Sequence, residues 1–343
     1  MKPLNKMTTS VALSLAVALA APALAEDGPT YDGLIGAKGG VTKPATEGGL
    51  TFKAEAVFLK PDFSTSSSAY VAQIEDEIPR NIEFDFDYEF STRYELGYIA
   101  PTSKLGWRAR TWYYDTTSNG PFADDDNGLI ADDAIAVSVG GGTIEDIDTL
   151  SVSTYELDMW VTDLEATYQH SDKTKFSAGL RIAKVDQRYS LGSDEGSFSS
   201  DFDYLGFGPT VEVSHTQQFA DTQYGTFSFF AKARASALLG KHDISSKAGD
   251  GGADFFDLSP GGETRFAYSL EASAGIIWRP EIHGNDNFFV SAAVEYQHWG
   301  NVGNAFNEYG DVTADSPGAL SIGSTEDADI DLFGFTLGVG WDF

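Results

Sequence analysis

The chain has no cysteine. Disulfide frameworks, thiolate nucleophiles and cysteine-ligated metals are therefore excluded. Histidine is scarce as well. His170, His215, His242, His283 and His298 are scattered along the 343 residues, without the clustering that a transition-metal site needs. Positive charge is thin: 22 Lys and Arg stand against 52 Asp and Glu, a net charge of −30. A nucleic-acid partner calls for a basic footprint, so that class is set aside. Past the first 25 residues, no apolar run approaches the ~20 residues of a membrane-crossing helix.

The first 25 residues read as a leader. Lys2 and Lys6 give a basic start, residues 11–20 ("VALSLAVALA") an apolar centre, and Ala23 and Ala25 a small-x-small cleavage pattern. That order marks a Sec-type signal peptide cut between Ala25 and Glu26, with an apolar centre too short to span a bilayer. Its removal leaves the chain two charges more negative. Residues 26–49, rich in Gly and carrying Pro29 and Pro44, read as a flexible periplasmic segment, with docking into the interior left open. Residues 50–343 then form the folded domain.

Alternating apolar and polar residues mark ten strand segments: 50–59, 84–100, 105–115, 150–168, 176–186, 204–215, 226–239, 265–278, 287–299 and 330–343. Most match or exceed the ~9–11 residues of a tilted transmembrane strand rather than the ~5–6 usual in soluble domains. The stretch "FDFDYEFSTRYELGYIAP" (84–101) carries Phe84, Phe86, Tyr88, Phe90, Tyr94, Leu96 and Tyr98 at even positions, with Asp85, Asp87, Glu89, Arg93 and Glu95 between them. In a barrel, such a strand turns its aromatic face to lipid and its charged face to the lumen. On this reading Asp85 and Asp87 lie at the external mouth. Segments 226–239 and 265–278 gather aromatics toward their ends, with small aliphatics between, as a lipid-facing wall with an aromatic girdle does.

The opposite faces carry charge at mid-strand. Arg93, Arg108, Arg110, Arg181, Lys232 and Arg234 face Glu55, Glu95, Glu212, Glu271 and Glu295. These are the candidate pore-lining residues. Paired across a lumen such charges are stable; unpaired and dry they are costly. Segment 150–168 is harder to orient. Tyr155, Leu157, Met159 and Val161 are apolar, then Leu164, Ala166 and Tyr168. A change of parity of this kind is the signature of a bulge.

The connections alternate long and short, as in outer-membrane barrels with short periplasmic turns and long external loops. With an even strand count both termini fall in the periplasm. The last strand runs apolar to its end through Phe333, Phe335, Leu337, Val339, Trp341 and Phe343, which resembles the terminal signal read by the barrel insertion machinery. A short hairpin at 134–139 inside the third loop leaves twelve strands open as an alternative. In the same loop, Asp124 to Gly128 ("DDDNG") with Asp132 and Asp133 suggests calcium but lacks the EF-hand spacing.

Six stretches in order, "FDFDYEFSTRYELGYIAP", "LGWRARTWYYD", "DLEATYQ", "FSAGLRIAKVDQRY", "YLGFGPTVEVS" and "VSAAVEYQHWGN", resemble the Legionella-type major outer membrane protein family. The resemblance covers most of the chain after the leader and implies a barrel forming a passive pore. The disulfide cross-linking of the best-known members is not carried over, since cysteine is absent.

The expected fold is thus all-β: a transmembrane antiparallel up-and-down barrel of about ten strands in a bacterial outer membrane. Its partners would be lipid, lipopolysaccharide and small ions or solutes, with no cofactor and no metal. A barrel hydrolase would need acids beside a histidine at the rim, and Asp85 and Asp87 with His298 are the one set available. Two classes lead: a diffusion pore, cation-preferring because of the acidic surface, and a closed barrel serving as adhesin or anchor. Ten strands enclose a narrow interior, which leaves the two in competition.

Overall fold

The computed structural model describes residues 49–63, 70–75, 78–100, 103–119, 135–139, 142–147, 150–193, 197–250, 253–258, 262–281, 287–303 and 329–342. Among them are fifteen strands: β1 (Gly49–Phe63), β2 (Tyr70–Glu75), β3 (Ile78–Glu83), β4 (Glu89–Ile99), β5 (Leu105–Asn119), β6 (Ile135–Val139), β7 (Gly142–Ile147), β8 (Leu150–Gln169), β9 (Thr174–Ser193), β10 (Ser197–Thr222), β11 (Gly225–Asp250), β12 (Ala253–Leu258), β13 (Glu263–Arg279), β14 (Phe288–Gly300) and β15 (Ile330–Asp342).

Ten of these close into an antiparallel barrel. The order runs β10-β9-β8-β5-β4-β1-β15-β14-β13-β11, and β10 pairs back onto β11. The first and last barrel strands are hydrogen-bonded along their whole length, from Thr51 opposite Asp342 to Phe63 opposite Ile330. No barrel edge remains open to pair with another chain. β12 turns back to pair antiparallel with the far end of β11, while β2, β3, β6 and β7 form a small separate sheet. The hairpin near residues 134–139 therefore belongs to that sheet, and the barrel has ten strands rather than twelve.

The start of β1, the end of β15 and the short turns share one end of the barrel, the chain-end side. There β4 joins β5, β8 joins β9, and β10 joins β11 across Gln223 and Tyr224. The sequence reading placed longer connections at 187–203 and 216–225. Instead β9, β10 and β11 run on as strand for 20, 26 and 26 residues, since strand pairing persists through polar residues on either side of the lipid band. The outer wall is apolar, with Phe52, Tyr94, Trp107, Leu164, Leu180, Phe207, Phe335 and Leu337 all exposed. This face ends at a row of directly opposed aspartates: Asp115, Asp158, Asp186, Asp203 and Asp243 on five neighbouring strands.

The lumen is divided into two zones. Toward the long-loop end it is filled by apolar and aromatic side chains, among them Leu59, Trp112, Tyr114, Tyr155, Met159, Phe202, Trp299 and Leu332. Toward the chain ends it is charged. This division corrects two expectations. Phe84 and Phe86 do not face lipid: β4 begins at Glu89, and the preceding residues turn inward so that Phe86 is buried and both rings pack on Tyr155. In β8 the register runs without a break from Thr154 to Gln169, so no bulge lies at the parity change. Tyr155, Leu157, Met159 and Val161 face the apolar zone, and Leu164 and Tyr168 face lipid lower down the same straight strand.

Candidate functional site in the barrel lumen

The charged zone is built from inward positions two apart, because successive side chains of a strand point to opposite faces. β4 contributes Arg93 and Glu95, β5 Arg108 and Arg110, β11 Lys232 and Arg234. The remaining candidates come singly: Glu55 from β1, Arg181 from β9, Glu212 from β10, Glu271 from β13 and Glu295 from β14. The structure turns all eleven into the lumen. Three more inward charges join them, Lys53 on β1 with Asp163 and Glu165 on β8, all buried. Seven basic side chains thus meet seven acidic ones.

Asp163 is the hub. Its carboxylate accepts from Arg181 at 2.7 and 3.0 Å and from Arg234 at 2.6 Å, and Arg110 stands 3.9 Å away. Arg234 reaches Glu212 at 2.5 Å and Glu165 at 2.9 Å. Arg108 bridges Glu165 and Glu212, the latter at 2.9 Å. Arg181 and Arg110 both hold Glu271, at 2.5 and 3.1 Å. Arg93 makes a two-pronged bond to Glu295 at 2.8 and 2.6 Å, while Lys53 donates to Glu55 at 2.6 Å. Paired guanidinium–carboxylate geometry of this kind is what makes buried charge tolerable. The two zones meet at stacked rings: Arg93 lies over Trp112 and Arg181 over Trp299, each 5.5 Å from the ring.

Within the charge layer lies a cavity of about 30 Å³, lined by Glu55, Arg93, Glu95, Glu212, Phe230, Lys232, Glu271 and Glu295 among others. Such a space holds a very few waters. Above it the apolar zone closes the lumen. Residues 301–303 add a strap at the mouth. Val302 is fully buried, Gln187 donates to the Gly303 carbonyl at 2.8 Å, and the Asn301 amide donates to Asp329 at 2.9 Å.

Two of the three missed charges share a cause. Asp163 and Glu165 lie just past the parity change in β8, and reading it as a bulge left their side of the strand unassigned. The signal that could have found them is the strand itself: carried straight through, its odd positions place Asp163 and Glu165 beside Arg108 and Arg110, their cross-strand neighbours. Lys53 stands two positions before Glu55 on β1, so the alternation that turns Glu55 inward places Lys53 in the lumen as well. The rim set considered for hydrolysis is not assembled. Asp85 bonds Lys60 at 2.7 Å, and His298 is buried on the outer wall against Asp331 at 2.8 Å. Of the terminal aromatic face, Phe333, Phe335, Leu337, Val339 and Trp341 point outward. Phe343, the cleavage site at Ala25 and Glu26, and the acidic loop at 124–133 lie outside the described residues.

A family model described as Legionella pneumophila major outer membrane protein precursor matches residues 42–343. The chain belongs to this family. It is accordingly an outer-membrane β-barrel, as the ten-stranded closure and apolar outer wall require. No curated protein matches. Among solved structures it is similar to the Escherichia coli outer membrane protease OmpT, at 11% identity and TM-score 0.45 over 88% of this chain and 98% of that one. The translocator domain of the Neisseria meningitidis autotransporter NalP gives 12% and 0.38 over 98% of both. The Pseudomonas putida toluene transporter TodX gives 7% and 0.35 over 86% and 90%. Likenesses this distant carry no argument about function.

Proposed function

We propose that this family member is a passive outer-membrane passage for small ions, cation-preferring and narrow, occluded at its long-loop end in the conformation described. The observation that supports it is the buried layer of seven basic and seven acidic side chains around a small polar cavity. A barrel with no transport role can fill its interior with apolar residues at no electrostatic cost, and this one does so in one half only. A narrow ring of fixed charge is the means by which pores select ions. The layer is balanced, so the cation preference comes from the acidic remainder of a chain of net charge −30, which concentrates cations at the mouths. We place the chain ends and short turns in the periplasm, and we assign the outward aromatic face of β15 to recognition by the insertion machinery.

The apolar zone favours a second reading, a permanently closed barrel that anchors its long loops at the cell surface. Proteoliposomes separate the two. On the passage reading, refolded barrel collapses a potassium gradient faster than empty vesicles yet causes no swelling in isotonic sugar, because the cavity is too small for a sugar. Ion retention equal to empty vesicles, with the barrel shown to be folded and inserted, contradicts the passage.

A further inference from the structure

Six of the seven cations counted in this charge layer have a carboxylate within ion-pair distance. Lys232 has no ion pair and no hydrogen bond among the described residues. Its strand neighbours are Ser214 and Ser273, which offer no charge. Its ammonium lies over the Phe230 ring, 5.4 Å from the centre, and Lys53 approaches the same ring at 5.9 Å. Lys53 is already bonded to Glu55, and Lys232 lines the cavity beside it. On the acidic side, Glu95 is held most loosely. Among the described residues its one ion-pair contact is Arg108 at 3.7 Å, beyond hydrogen-bond length. Both Lys232 and Glu95 line the cavity.

The other basic side chains are mostly arginines, whose planar forks are fixed by two or more oxygens. A lysine on a four-carbon stem with three free donors is the mobile alternative. A permeating ion would break no hydrogen bond to meet Lys232 or Glu95, whereas it would have to break a paired bond to engage Arg234 or Glu212. We propose that Lys232 and Glu95 are the selectivity-determining residues of the passage, acting in opposite senses: Lys232 slows cations and admits anions, and Glu95 does the reverse. This rests on the passage reading, and it narrows selectivity from a whole charge layer to two side chains.

The test is the reversal potential of the refolded barrel in a planar bilayer under a potassium chloride gradient. Lys232→Gln is expected to raise the cation-to-anion permeability ratio by about threefold or more, and Glu95→Gln to lower it by a similar factor. Lys232→Arg, which keeps the charge, should leave the ratio within error. Opposite shifts from neighbouring substitutions cannot come from general loosening of the lumen, which would move both the same way. Heat-dependent gel mobility checks that each variant is folded. Conducting wild type with no shift, or with both shifts in one direction, overturns the assignment but spares the passage. Wild type that never conducts overturns the passage, and this assignment falls with it.

Discussion

Asp163 shows how much one lumen carboxylate holds. It is 1% exposed and stands between Arg181, Arg234 and Arg110. Removing it would leave buried guanidinium groups short of counter-charge, which costs about 3–5 kcal/mol. Asp163→Ala is therefore expected to lower the unfolding midpoint of the detergent-solubilised barrel substantially. Exposed Asp115→Ala, on the outer aspartate row, should leave it nearly unchanged or raise it, since like charges directly opposite are destabilising. A midpoint for Asp163→Ala equal to wild type would show that the layer is hydrated and loose. Most of this layer was legible in the sequence, because alternation sorts inward from outward positions wherever the outer face is plainly apolar. It failed at Asp163 and Glu165 for a physical reason. Alternation reports contrast between two faces, and in β8 the inward face is itself apolar above Val161 and charged below it. The contrast inverts along a straight strand, and a bulge gives the same pattern.

Among the elements, the aromatic stretch before β4 makes the same point. Its alternation runs from Phe84 to Tyr98 with Thr92 alone out of pattern, yet Phe84 and Phe86 pack inside the mouth while Tyr88, Phe90 and Tyr94 face outward. A ring is equally at home in lipid and in an apolar lumen, so sequence alone cannot separate the two destinations. The strap after β14 was not legible at all, because its contacts are with Gln187 and Asp329, distant in the chain. Gly303 sits there at φ +91°, and a Cβ would approach the Phe202 ring at 2.2 Å. Alanine is strained at such a φ and has no room. Gly303→Ala should lift the strap and lengthen open times in single-channel records, with folded yield little changed. An unaltered open time would mean that residues 301–303 do not take part in closure. On the closing strand, the space beside Gly334 is filled by the Phe58 carbonyl, 1.8 Å from a built Cβ. Gly334→Ala is expected to reduce the folded fraction on gels by weakening the β1–β15 seam.

The molecule as a whole is polarised along its axis: charged toward the chain ends, apolar toward the long loops, with a lipid-facing wall around both. The fold class, ten barrel strands and family were all readable from strand length, parity and loop alternation. The axial division was not, because it depends on which inward residues share a level of the barrel, and it is what fills half of the narrow interior with apolar side chains. The measurement that bears most directly on this account is single-channel recording of the refolded wild-type barrel beside Gly303→Ala, in one bilayer system at several salt concentrations. The account predicts brief, small, cation-leaning openings in the wild type and longer ones of the same size in the variant. Large, steady openings in the wild type would contradict the occluded lumen. Silence from both, with the barrels folded and inserted, would contradict the passage itself.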